Sequence, residues 1–142
     1  YLRQKQDDGA DYIMTQLCWD MDQFRYWLDA IRAAGITMPV DVGIMPVIDM
    51  AATINMALSH NGCVMPSELC KIISKYWIFP NPFAPADDSL EQKKADFRKA
   101  GMEYTIDLID QYRACDIAGI HLYALNKVDA VQEIMDVMHL VD

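Results

Sequence analysis

One amide stands where chemistry can happen: Gln16, at the end of an apolar run in the stretch ADYIMTQLCWD, Ala10 to Asp20. An amide offers a donor and an acceptor together, so it can read a polar ring edge or bond a neighbouring loop backbone. Cys18 follows two residues later, but no adjacent base marks it as a nucleophile. The other cysteines are Cys63, Cys70 and Cys115. They form no C-x-x-C pair and no cluster with histidine, so structural zinc is not expected. Free thiols in a reducing compartment are the simplest reading. His121 reads as an internal, hydrogen-bonded histidine, and His60 and His139 as ordinary helix-end residues. Neither G-x-G-x-x-G nor G-K-[ST] occurs, so both standard phosphate loops are missing.

The elements that must hold these residues follow from periodicity. Residues 1–8 read as the end of a helix, closed by Gly9. Tyr12 to Leu17 is a buried strand. Asp20 and Gln23 have capping-box spacing, and Met21, Phe24, Trp27, Leu28 and Ile31 recur at helical period until Gly35. Pro39 to Met45 (PVDVGIM) is a second strand, and a helix spans about Met50 to Ser59. Met45, Met50 and Met56 are read mainly as core. Asn61-Gly62 marks a turn, and Ser67 is read as the cap of the next helix. FPNPFAPADD, residues 79–88, holds three prolines and is read as a loop insertion. A long helix from Ser89 to about Cys115 is expected to break near Gly101. GIHLYAL, Gly119 to Leu125, is a third strand, Asn126 fixes the turn after it, and Val128 to Met138 is the last helix.

Strands alternating with helices imply parallel βαβ units, hence an α/β fold. Two architectures remain open, a doubly wound sheet and part of a (β/α)8 barrel. A complete barrel needs roughly 250 residues, so these 142 residues would be only a part of one. The chain starts on Tyr1 rather than methionine, which also suggests a fragment or a processed chain. Its formal charge of −9 argues against a nucleic-acid partner, which needs a basic face. No run of eighteen apolar residues occurs, so no membrane partner is expected, and no signal-peptide pattern is seen. The hydrophobic share of 53% fits one domain with a real core.

Three segments, in order, carry a family resemblance. LRQKQDDGADYIMTQL is similar to L-K-x-K-x-x-A-G-A-x-x-x-x-T-Q, GITMPVDVGIMPV to G-I-x-x-P-I-x-P-G-I-x-P, and GIHLYALNK to H-F-Y-T-L-N-R. These motifs and their separations resemble the methylenetetrahydrofolate reductases over essentially the whole chain. The resemblance implies a TIM barrel of which residues 1–142 form a single partial domain, about three βα units holding strands six to eight. It implies FAD across the C-terminal strand ends, with NAD(P)H reducing it and 5,10-methylenetetrahydrofolate taking the electrons. The family's acidic residues for proton transfer and flavin tuning would lie outside this chain, so no catalytic residue is expected within it.

Residue by residue, the resemblance places Gln16 against the folate ring, with Lys127 and Ala52 also near the substrate. Lys127 stands where arginine is usual, which keeps the charge but loses the planar fork. Ala52 stands where some members have a polar side chain. Lys5 falls near the FAD phosphates, and Tyr1 and Gln4 fall where members often contact the cofactor, Gln4 replacing a frequently basic residue. Without the resemblance Lys5 is a solvated helix lysine. A homo-oligomer in the cytoplasm is the implied setting of the intact protein, and the isolated chain is expected to be inactive. The departures at Gln4, Ala52 and Lys127 leave a non-catalytic accessory paralogue as the alternative. An unrelated α/β binding domain is the third possibility.

Overall fold

The computed structural model describes residues 1–59, 62–79, 83 and 88–139. The expected 79–88 insertion lies mostly outside them, as does Asn61 of the expected turn. Helix α1 (Leu2–Asp7) leads to strand β1 (Ile13–Leu17), helix α2 (Met21–Ala33), strand β2 (Val40–Ile44) and helix α3 (Met50–Leu58). Helix α4 (Ser67–Lys75), helix α5 (Leu90–Arg113), strand β3 (Gly119–Leu122) and helix α6 (Val128–Val137) complete the order. The strands form one parallel sheet in the order β1-β2-β3. This is an α/β arrangement consistent with part of a barrel.

The sheet has two unlike faces. Val40, Val42 and Ile44 alternate along β2 and are completely buried. They share one core with Phe24, Leu28 and Ile31 of α2, Leu69 and Ile73 of α4, Phe97, Leu108 and Ile109 of α5, and Ile134 of α6. Period-2 alternation sends Asp41 and Gly43 to the opposite face. The parallel register pairs Asp41 with Gly119 and Gly43 with His121, so His121 and Tyr123 share that second face. It is therefore polar rather than apolar, and the helices cover only the other side.

Local chemistry accounts for the helix starts. Asp20 Oδ1 accepts from the Gln23 amide at 2.9 Å, which caps α2 as its spacing predicts. Helix α4 differs from expectation. Pro66 is its N-cap, no side chain caps it, and Ser67 is already helical. A proline holds the required extended backbone without contributing a side-chain acceptor.

Helix α5 runs unbroken for 24 residues through Gly101, contrary to the expected break. Gly101 is a contact point: a Cβ there would overlap the Val47 carbonyl oxygen. One turn later Thr105, fully buried, accepts from the Val47 amide at 3.0 Å and donates to the Gly101 carbonyl at 2.7 Å. The hydroxyl thus satisfies the backbone of the segment leaving β2 while the glycine lets α5 approach it. Thr105→Val keeps the shape and leaves the Val47 N–H unpaired in the core. It is expected to cost about 1–3 kcal/mol, read as a shift in the urea midpoint, whereas Thr105→Ser should cost less.

Candidate functional site

Parallel strands present their C-terminal ends to one side, and in barrels and open sheets alike ligands bind there. At the end of β1 the chain runs Gln16, Leu17, Cys18, Trp19. Trp19 is buried, and its indole N–H donates to the Met45 carbonyl at the end of β2, at 3.3 Å. Two tyrosines of α5 fasten the same turn. Tyr112 donates to the Cys18 carbonyl at 3.1 Å and Tyr104 to the Trp19 carbonyl at 3.2 Å. Burial holds both phenols well above their ordinary range, so they remain protonated donors. Cys63 Sγ lies 3.4 Å from the Leu17 carbonyl, and burial, with Cys18 nearby, pushes its thiol up as well. A thiol so placed is a poor nucleophile.

Gln16 itself is exposed on β1. Its side-chain carbonyl accepts from the Leu17 amide at 3.0 Å, so the acceptor end is occupied by local backbone. No described residue accepts from its NH2. It borders a groove of about 580 Å3 along β1, shared with Leu2 of α1, Met14 and Trp27. A β-bulge between Met14 and Leu17 turns this part of the strand. Thr15 lies within it and accepts from the Gly43 amide at 3.0 Å.

The ends of β2 and β3 build a second cluster. Asp49 is the N-cap of α3, and its Oδ1 accepts from the Ala52 amide at 3.0 Å. Its Oδ2 accepts from Lys127 Nζ at 2.8 Å. The Lys127 ammonium and the helix amides hold the Asp49 carboxyl below the usual carboxylate range. The gap beside this pair is only about 20 Å3, lined by Met45, Ala52, Tyr123 and Leu125 among others. Leu125 and Asn126 adopt left-handed backbone, with φ of 45° and 64°, as the turn carries Lys127 back toward α3. Asn126 is thus the turn residue its type suggested.

Six residues were expected at a site, and the structure groups them in three places. Ala52 and Lys127 meet through Asp49. Tyr1 and Lys5 meet on α1, where the ammonium sits 4.7 Å from the ring centroid. Gln4 is on the same helix but turns to Asp8, donating to its carboxylate at 2.9 Å. Gln16 joins neither group, although Leu2 brings α1 to the groove it borders. Helix α1 is fixed at its other side by Arg3, which donates to the Ala34 carbonyl, and by Gln6, which accepts from the Thr37 amide. Of the three methionines read mainly as core, Met45 and Met50 are buried and Met56 is partly buried.

Asp49 was not singled out from sequence. Its signal was there: an aspartate directly before a run with helical period is a cap pattern. Its partner lies 78 residues away, beyond the reach of spacing arguments.

Comparison with known proteins adds a second line of observation. A family model described as methylenetetrahydrofolate reductase matches residues 1–139. Methylenetetrahydrofolate reductase 1 of Schizosaccharomyces pombe is 32% identical over the whole chain, which covers 21% of that protein. Methylenetetrahydrofolate reductase (NADH) 1 of Arabidopsis thaliana is 30% identical over the whole chain, covering 22% of it. A probable methylenetetrahydrofolate reductase (NADPH) of Caenorhabditis elegans is 31% identical over 139 residues, 18% of its length. The chain thus spans about one fifth of these relatives.

Proposed function

The chain belongs to the methylenetetrahydrofolate reductase family, and from that premise we propose that it supplies part of the folate pocket and one edge of the FAD site of a flavin-dependent reductase. The observation that carries this reading is the meeting of Ala52 and Lys127 through Asp49, in the segments that follow β2 and β3. Two residues that the resemblance places near the substrate, 75 positions apart in sequence, adjoin one small gap.

On this reading Gln16 offers its NH2 to the folate ring and can release its carbonyl from the Leu17 amide to accept as well. Lys127 offers a cation to an anionic substrate group. The residues of α1 fit a dinucleotide edge: Lys5 is exposed and makes no ion pair among the described residues, so its charge suits a phosphate. Tyr1 beside it presents an exposed aromatic face. When bound, FAD supplies the two-electron chemistry between NAD(P)H and methylenetetrahydrofolate. The chain's own part is to bind and orient, with no catalytic acid of its own. Alone it is inactive, because proton transfer and flavin tuning rest on residues outside it. The relatives' names differ between NADH and NADPH, and both stay within the proposal. Homo-oligomerisation and a cytoplasmic setting follow from the family resemblance alone.

The test is the absorbance of the natural-length protein under anaerobic conditions. NADH or NADPH should bleach the flavin band, and methylenetetrahydrofolate should restore it. A second reading, an accessory paralogue without catalysis, is favoured by one observation: Asp49 already neutralises Lys127. A protein that retains no flavin would support that reading and sink the first.

A further inference from the structure

We propose that Asp49 is a positioning and specificity-determining residue for the substrate's anionic end: it pairs with Lys127, and an anionic group on the substrate competes with it for that ammonium. The inference rests on the reading of Lys127 as a substrate contact, and extends it to a residue with two separable duties.

Asp49 divides its oxygens between them. Oδ1 caps α3 through the Ala52 amide, and Oδ2 holds Lys127 Nζ at 2.8 Å. The gap beside the pair, about 20 Å3, has room for about one water molecule. A substrate group can therefore reach Lys127 from this side only if the pair opens. Opening is easy, because both side chains are 42% exposed and such ion pairs are weak. The bond to α3 is different: it is local and made by the other oxygen, so it does not depend on Lys127. The aspartate can thus let go of the lysine while keeping the helix capped.

Ala52 bears on the same point. Its methyl group cannot hydrogen-bond, and its amide is spent on the cap. Thr53 in this first turn is buried and bonded to the Asp49 carbonyl, so the accessible polar side chain here is that of the cap, Asp49, and it is negative. A negative charge beside the one cation of the cluster lowers affinity for carboxylates and leaves neutral parts of the substrate unaffected. The expected result is a pocket that discriminates among folates by their charged end rather than by their ring.

The decisive variant is Asp49→Asn in the natural-length, flavin-loaded protein. Asparagine is as good a cap as aspartate, so α3 is retained while the charge is removed. The readout is equilibrium binding of two probes, folate and the primary amide of pteroic acid, the second carrying no carboxylate. Folate should bind about two- to five-fold more tightly to the variant, and the gain should shrink in high salt. Binding of the pteroic amide should not change. Asp49→Ser, a second neutral cap, should behave alike and guards against a folding defect peculiar to asparagine. Lys127→Met provides the other arm: it should weaken folate and spare the pteroic amide. If Lys127→Met weakens folate but neither Asp49 variant tightens it, the inference fails and the reading of Lys127 stands. If Lys127→Met changes neither probe, Lys127 is not a substrate contact and both fall. Equal tightening of folate and the pteroic amide would also overturn the inference, since loss of charge competition cannot act on a ligand without a carboxylate.

Discussion

Gly101→Ala should destabilise the protein by about 3 kcal/mol, although alanine is the better helix former by about 1 kcal/mol. The sign follows from where the new methyl group would go. It would overlap the Val47 carbonyl oxygen, a backbone atom that cannot rotate away. Relief requires α5 to move off the segment after β2, and that motion would also part Thr105 from the Val47 amide. Two favourable contacts are lost together, so the overlap outweighs the gain in helix propensity. The measurement is urea denaturation of the natural-length protein, with Ala95→Gly as the control. Ala95 is exposed on the same helix, and its replacement should cost only about 1 kcal/mol. A Gly101→Ala variant as stable as the parent would show that the packing of α5 against β2 has been misjudged.

Trp19→Ala should cost about 3–5 kcal/mol and should also weaken folate binding. Trp19 is 1% exposed and belongs to the main core, so its removal leaves a large hole. Its indole ties the end of β1 to the end of β2 through the Met45 carbonyl. Without it the Gln16 turn keeps, among the described residues, the two tyrosine hydroxyls of α5 as side-chain anchors on Cys18 and Trp19. Trp19→Phe separates the two effects. It fills much of the volume but removes the donor, and should cost about 1–3 kcal/mol. Denaturant unfolding reads the stability, and folate titration reads the turn. Unchanged folate affinity in a folded Trp19→Phe variant would detach the indole hydrogen bond from the positioning of Gln16.

The strands and the start of α2 were legible because their signals are local. Val40, Val42 and Ile44 alternate, and Asp20 caps its own helix three residues on. Gly101 was misread for the opposite reason. A glycine within a helical pattern looks like a break when its neighbours in sequence are all that is known. Its actual role is set by Val47, 54 residues earlier. Ser67 was misread because serine is a good cap by type, whereas Pro66 had already supplied the extended backbone. At the site, the resemblance named candidate residues but not how they group. Lys127 and Asp49 meet only because β2 and β3 are adjacent, which periodicity does not encode. The local bond from Gln16 to the Leu17 amide was one of the two readings the sequence left open.

The saddle at Gly43 constrains how this protein can diverge. The Tyr123 ring crosses over β2 there and reaches the Thr15 carbonyl region, so that β1 and β3, which share no ladder, touch through a side chain. A Cβ at position 43 would lie 2.6 Å from the Tyr123 ring and 2.9 Å from the Thr15 oxygen. The constraint runs one way: a side chain gained at 43 needs a smaller one at 123 and room beside the Thr15 carbonyl, whereas a smaller residue at 123 leaves Gly43 without a clash. The order of change is therefore set, with position 123 shrinking before position 43 can grow.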